Sequence, residues 1–372
     1  MCSPLVKDPT NGEQNTNLIP FIRHGKAPGS GKSGDTERGA TEGAPSQPCA
    51  PQPVRRPGLL RASLQRLPIG VQPTSNSAAN PDSCAGVEAV AEALVQKGIC
   101  MNRAISLRRD LAERAQKYAR AEGPPHCLSY GEAPNVCFLP YADDSRHGNF
   151  LQGSYQAIKA DPEWLRRLAK VHTRGRQSLP NTERRWMELD SSTSSDALLM
   201  NIFCHPTVKR DGRLAALLGA EPGASACFGY KARVPLANGR FDRTEVDLRL
   251  GDLLVEAKLT ESDFQSAEKK VLMAYRDFSE VFDGQQLPQI DDRYLSYQLV
   301  RNVLAAYALQ CSFCVLVDAR RPDLAHAWYA VMKCVKPVVL RTKLRISTWQ
   351  EIAQAAPPKL RVFLAAKYGI AL

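Results

Sequence analysis

The chain has 372 residues, enough for two ordinary domains or one domain with a long tail. Lys and Arg total 49 against 38 Asp and Glu, a net charge of +11 that favours polyanionic partners such as nucleic acid. With 44% hydrophobic residues the composition excludes a collagen-like, coiled-coil or wholly disordered chain, and no apolar run reaches the roughly 18 residues that a membrane-spanning helix needs. The N-terminal residues carry no apolar signal core, so the expectation is a cytoplasmic protein whose 11 scattered Cys are reduced.

Residues 1–80 hold 11 Pro and 9 Gly among many Ser, Thr, Asn and Gln, and such a segment cannot bury enough apolar area to offset its ordering entropy. It reads as a disordered tail. Its 9 basic and 5 acidic residues leave 40 against 33 in the remainder, so the basic character also belongs to the folded part. Within the tail, Gly25-Lys-Ala-Pro-Gly-Ser-Gly-Lys-Ser33 imitates a phosphate loop. It has one residue too many between Gly25 and Gly31 and no apolar strand before it, so it is rejected.

Residues 84–122 carry helical spacing (Val87, Val90, Ala91, Leu94, Val95, then Ile105 to Ala115), which Gly123-Pro124-Pro125 ends. Pro162–Lys170 reads as a short amphipathic helix with Pro in its permitted first turn. Glu183–Phe203 reads as a longer helix broken at the Ser-rich 191–195, its second half capped by Asp196. Ala226–Leu236 is a strand and Thr244–Lys258 two more. Ser262–Val281 and Tyr294–Leu309 are helices. Ser312–Val317, nearly all apolar, is a central strand covered on both faces, followed by a helix over Leu324–Val335 and a last strand over Val338–Ile346. Strands interleaved with helices predict an α/β or α+β fold. The expected domains are the tail 1–80, a helical region 81–160, and a catalytic core 161–372.

The chemistry concentrates in Glu245-Val-Asp-Leu-Arg-Leu-Gly-Asp-Leu-Leu-Val-Glu-Ala-Lys258. Gly251-Asp252 suits a two-residue hairpin turn because Gly accepts a positive φ. That turn sets Leu250 against Leu253, Leu248 against Val255 and Val246 against Ala257 on an apolar face. The opposite face pairs Asp247 with Glu256 and Glu245 with Lys258, with Arg249 opposite Leu254. Two carboxylates set opposite one another lie about 5 Å apart at Cβ and repel. A divalent cation relieves this, with Asp247 and Glu256 as hard oxygen ligands suited to Mg²⁺ (or Mn²⁺) and Lys258 within reach of a phosphate oxygen. The same alternation also describes a solvated strand face on which Lys258 neutralises its neighbours.

Asp247…Glu256-Ala-Lys258 resembles the PD-(D/E)XK motif of restriction-endonuclease-like nucleases, with Val246 in place of the leading Pro. Over roughly 147–350 the chain resembles bacterial restriction-endonuclease-like proteins, through Gly148–Tyr155, Trp186–Asp190, Ser194–Phe203, the hairpin and Tyr297–Asn302. The resemblance implies a mixed central sheet flanked by helices and Mg²⁺-dependent cleavage of DNA phosphodiesters, a restriction or defence endonuclease. Asp247, Glu256 and Lys258 would be its catalytic residues. It also implies an additional acid on the helix before the sheet, for which Glu188 is the candidate, and a Gln on a later helix, Gln298, although Asn302 stands where some members have Tyr.

Other features are weaker. Arg341, Lys343 and Arg345 alternate along the last predicted strand, a basic stripe fit to follow a DNA backbone. Cys311-Ser-Phe-Cys314 lacks further zinc ligands and reads as core thiols. His205 is a possible neighbour of the site. Double-strand cutters often need two active sites, so a homodimer is one candidate assembly, and the sequence leaves the oligomeric state open. The rival to a nuclease is a non-catalytic nucleic-acid-binding protein on the same fold; a hydrolase of nucleotides or RNA has no separate signal.

Overall fold

The computed structural model describes residues 82–129, 134–171, 173–174, 177–178 and 186–371. The proline- and glycine-rich tail and its loop-like Gly25–Ser33 lie outside the described residues. The chain opens with α1 (Asp82–Glu122). Its buried face, Ala104, Leu107, Leu111, Ala115 and Ala119, repeats every three or four residues, as an amphipathic helix must. Leu107 and Leu111 share a core with Leu198, Trp349 and Leu364. Then come α2 (Gln152–Ala160), α3 (Pro162–Leu168) and α4 (Ser195–Phe203). Asp161 caps α3 by accepting from the Glu163 and Trp164 N–H groups, and Pro162 takes the first helical position.

A five-stranded sheet follows: β1 (Ala226–Lys231), β2 (Glu245–Leu250), β3 (Leu253–Ala257), β4 (Ser312–Val317) and β5 (Leu344–Thr348), side by side in that order. The first three pair antiparallel; β3, β4 and β5 run parallel. The sheet is therefore mixed. The parallel crossovers carry α5 (Tyr297–Leu309) before β4, and α6 (Pro322–Met332) and α7 (Val338–Thr342) before β5. The chain closes with α8 (Trp349–Ala355) and α9 (Pro358–Tyr368). One sheet face, with Leu248, Val255 and Leu316, packs on α4, α8 and α9. The other, with Leu254, Phe313 and Val315, packs on α5 and α6. β4 is an interior strand with both faces covered, as its apolar run predicts, but β3 holds the central place.

Four sequence expectations are corrected. Among the described residues of the expected helix 183–203, a short 3₁₀ turn, Glu188–Asp190, stands ahead of α4, and Ser194, not Asp196, caps α4 by accepting from the Ala197 N–H. The predicted helix 262–281 is interrupted: Ser266–Glu268 pairs with Arg293–Leu295 in a small sheet, followed by the short helices Lys269–Met273 and Phe278–Val281. That pairing also takes residues 293–295 out of the next helix. The predicted strand 338–346 splits into α7 and β5. Pro337 leads into α7 and its carbonyl accepts the Arg341 N–H, so strand geometry begins only at Leu344. In the segments 262–281 and 293–295 long-range strand pairing outweighed the local pattern. Among the described residues no helix is long and apolar enough to cross a membrane.

Candidate active site

The β2–β3 hairpin turns at Gly251, whose φ of 59° is the left-handed value glycine tolerates. Its register is Leu250 with Leu253, Arg249 with Leu254 and Leu248 with Val255, as the sequence predicts. Beyond Leu248 the expected ladder is not continued. The Ala257 N–H, next in line to bond to β2's backbone, donates instead to Asp247 Oδ2 at 2.8 Å. The Lys258 N–H bonds to Leu316 O of β4. The expected pairs Val246–Ala257, Asp247–Glu256 and Glu245–Lys258 are therefore not ladder partners. The acidic pair sits where the two strands part.

The site is not a solvated face. Glu256 is 1% and Lys258 5% exposed. Lys258 Nζ donates to Glu256 Oε1 at 2.8 Å, and Asn302 Nδ2 of α5 donates to Glu256 Oε2 at 2.7 Å. The Phe264 ring lies 5.6 Å from the Lys258 ammonium, a cation–π contact, and Trp349 donates its indole N–H to Lys258 O. Burial, then the charges of Glu256 and Asp196, push the Asp247 carboxyl well above the usual carboxylate range despite Lys258. Burial alone would lower Lys258, but Glu256, Glu261 and Asp247 outweigh it and hold the ammonium firmly protonated.

A second set of charges adjoins this pair. Asp196, in the first turn of α4, accepts from Arg167 Nη2 at 2.9 Å and Lys170 Nζ at 2.7 Å. Burial would raise its carboxyl, but Lys170 and Arg167 bring it below the ordinary range. Arg167 also bonds Glu245, and Lys170 pairs with Glu188 at 2.7 Å. The Arg167 guanidinium lies against Gly229 of β1, where any Cβ would collide with it. Glu188 lies in a 3₁₀ turn rather than on a helix, tied to Lys170, with its carboxyl raised by burial; on α4 it is the charge of Asp196 that bears on Asp247. Glu261, just past Lys258, accepts from Ser195 Oγ and the Leu259 N–H.

Gln298 sits in the first turn of α5, its Oε1 buried and without a hydrogen-bond partner; one turn on, Asn302 makes the contact to Glu256, and its own Oδ1 is likewise buried and unbonded. Sequence reading missed Asp196, Arg167, Lys170, Glu261 and Asn302. Asn302 did stand out in the sequence, but as a departure from a Tyr rather than as a partner.

The remaining candidates lie elsewhere. Arg341 is on α7, Lys343 ends it with Nζ on Gln310 O, and Arg345 alone is on β5. They form no single strand stripe, because the helical turn at α7 breaks the alternation. His205 Nδ1 accepts the Thr207 N–H and caps the short helix Pro206–Asp211. Cys311 and Cys314 are buried, and burial pushes their thiols up to about 11 and about 12. Among the described residues no three His, Cys, Asp or Glu are grouped to hold a metal ion.

The family described as Restriction Endonuclease associating with ARP matches residues 113–369, which run from within α1 to the end of α9. No curated protein and no solved structure matches the chain.

Proposed function

The chain belongs to the PD-(D/E)XK-like family of restriction endonucleases associating with ARP, and from that premise we propose that it is a metal-dependent nuclease that hydrolyses DNA phosphodiesters at the parting of β2 and β3. One observation carries the proposal. Asp247, Glu256 and Lys258 converge in a largely buried site with two carboxyl groups to one ammonium, and among the described residues no basic side chain bonds to Asp247. A fold selected for stability alone would replace such a set with apolar residues, since burying charge is costly.

The donor set fits Mg²⁺ or Mn²⁺. Both are hard cations taking oxygen ligands, and Mg²⁺ binds through one or two carboxylates while keeping several waters. Asp247 and Glu256 would hold the ion, and its charge would offset the burial and the repulsion from Glu256 that raise Asp247. The buried, unbonded Gln298 Oε1 lies one helical turn before Asn302 on α5. When bound, the ion would activate the attacking nucleophile and offset the charge that builds on the scissile phosphate. Lys258, held protonated by its acidic neighbours, would donate to a phosphate oxygen as negative charge develops there. Phe264 faces its ammonium and Trp349 holds its backbone carbonyl. Asp196, clamped by Arg167 and Lys170, adds negative potential beside Asp247.

The test is nicking of plasmid DNA and degradation of linear and single-stranded DNA, with Mg²⁺, Mn²⁺ or a chelator, by the parent and by Asp247→Ala, Glu256→Ala and Lys258→Ala. Chelator-sensitive cleavage that all three variants lose is the expected result. Cleavage by the variants at the parent's rate overturns the assignment.

A further inference from the structure

We propose that Arg301 and Asn302, neighbours on α5, are positioning residues that together aim the two metal-binding carboxylates from opposite strands; this rests on the metal-dependent site proposed above. Asn302 Nδ2 holds Glu256 Oε2 of β3. Arg301, 2% exposed, spreads its fork over two successive carbonyls at the start of β2: Nη1 donates to Thr244 O at 2.8 Å and Nη2 to Glu245 O at 2.7 Å. Those carbonyls lie just ahead of Asp247. One helix therefore grips both strands at the level where their own ladder has stopped. The outer ladders to β1 and β4 continue past this point, so each strand keeps its course, but between β2 and β3 the backbone ladder is replaced by the Ala257 N–H bond to Asp247 Oδ2 and by the two side chains of α5, which fix how the carboxylates face one another.

The helix is itself referenced to the site. Its first-turn N–H groups, Tyr297 and Gln298, donate to Gln265 O and Phe264 O, and the Phe264 ring is the one that rests on Lys258. The junction holds Gln265 and Ser296 at φ of 60° and 56°, a left-handed conformation that a non-glycine residue keeps only where surrounding structure enforces it. Packing alone does not explain Asn302. It is wholly buried, its Oδ1 has no partner, and its single protein contact through Nδ2 besides packing is a carboxylate. A leucine would fill that space without a stranded polar atom. Partners that orient metal-ligating groups in this way are worth about 10–100-fold in metal affinity or activity.

The experiment uses the full chain, with Asn302→Leu and Arg301→Lys beside the parent. Arg301→Lys keeps the charge but loses the planar fork that spans two carbonyls. Mn²⁺ binding is measured by calorimetry without DNA, and plasmid nicking is measured across Mn²⁺ concentrations. Both variants should bind Mn²⁺ about 10–100-fold more weakly and need correspondingly more metal for half-maximal nicking, while the rate at saturating Mn²⁺ approaches the parent's. Should Asn302→Leu fail to melt cooperatively, Asn302→Ser carries the same expectation. Mn²⁺ affinity equal to the parent's, or an unchanged affinity with a lower saturating rate, overturns the positioning role. A parent that binds no Mn²⁺ overturns the metal-dependent reading itself, and this inference with it.

Discussion

Lys258 Nζ and Glu256 Oε1 are 2.8 Å apart, and both side chains are buried, so each is the counterion that makes the other's burial tolerable. In the absence of metal this lysine balances a carboxylate. In the proposed reaction it faces a phosphate.

Removing the lysine should therefore have two separable effects. Lys258→Ala leaves Glu256 buried and unpaired, a change that typically costs about 3–5 kcal/mol. A divalent cation should restore part of that, so Mn²⁺ should raise the melting midpoint of Lys258→Ala more than that of the parent. Cleavage should fall about 10²–10³-fold, the loss of about 3–4 kcal/mol of charge stabilisation, while metal still binds. Calorimetry and plasmid nicking on the same preparation check both.

Asp247→Asn should lose metal-dependent cleavage yet be more stable than the parent without metal. Burial, Glu256 and Asp196 raise the Asp247 carboxyl in the folded state. A group raised above its unfolded value, about 3.9 for Asp, contributes stability that is full below that pH and is lost as pH rises through the folded value. The advantage of Asp247→Asn should accordingly grow with pH from the acid side to neutrality. Urea unfolding with chelator at several pH values reads it; an advantage that shrinks with rising pH contradicts the assignment.

Asp196 has the opposite sign. Burial acts to raise its carboxyl, but Lys170 and Arg167 bring it below the ordinary range. Its contribution is present above about pH 3.9 and is lost as pH falls through the lower folded value. Asp196→Asn should reduce stability at neutral pH and flatten the acid limb of the stability profile, as urea unfolding would show.

Gly229→Ala tests the clamp on Asp196 from the other side. Gly229 has a φ of 63°, and an added Cβ would meet the Arg167 guanidinium. Alanine where φ is positive destabilises by more than the roughly 0.4–1 kcal/mol that the same change gains at a compatible site. The displaced Arg167 should also weaken nicking. Nicking at the parent's rate in a folded Gly229→Ala would place Arg167 outside the machinery.

Deleting residues 1–80 should leave the melting midpoint nearly unchanged, because their composition cannot supply a core and the described fold closes its own around both sheet faces. A truncated chain that loses cooperative melting contradicts this.

The β2–β3 hairpin was readable in the residues themselves. A Gly-Asp turn and a period of two are local, so Leu248, Val255 and their neighbours fall on the core side without reference to the rest of the chain. The same rule groups Asp247, Glu256 and Lys258, although the ladder stops before they become cross-strand partners. Where the ladder ends does not follow from that rule, because the groups that meet the parted strands come from elements distant in sequence. Asn302 lies 46 residues from Glu256, and Arg167 lies 78 from Glu245. Neither contact has a local signature. Asp196 reads as a helix cap because Asp suits that position, yet Ser194 takes the cap and Asp196 turns to Arg167 and Lys170. Arg341, Lys343 and Arg345 alternate as a strand would, yet the turn of α7 separates them. Spacing along the chain determines which side chains share a strand face. Which distant charges close over that face is decided only by packing, since a buried carboxylate takes its partner from whichever element the fold brings within about 3 Å.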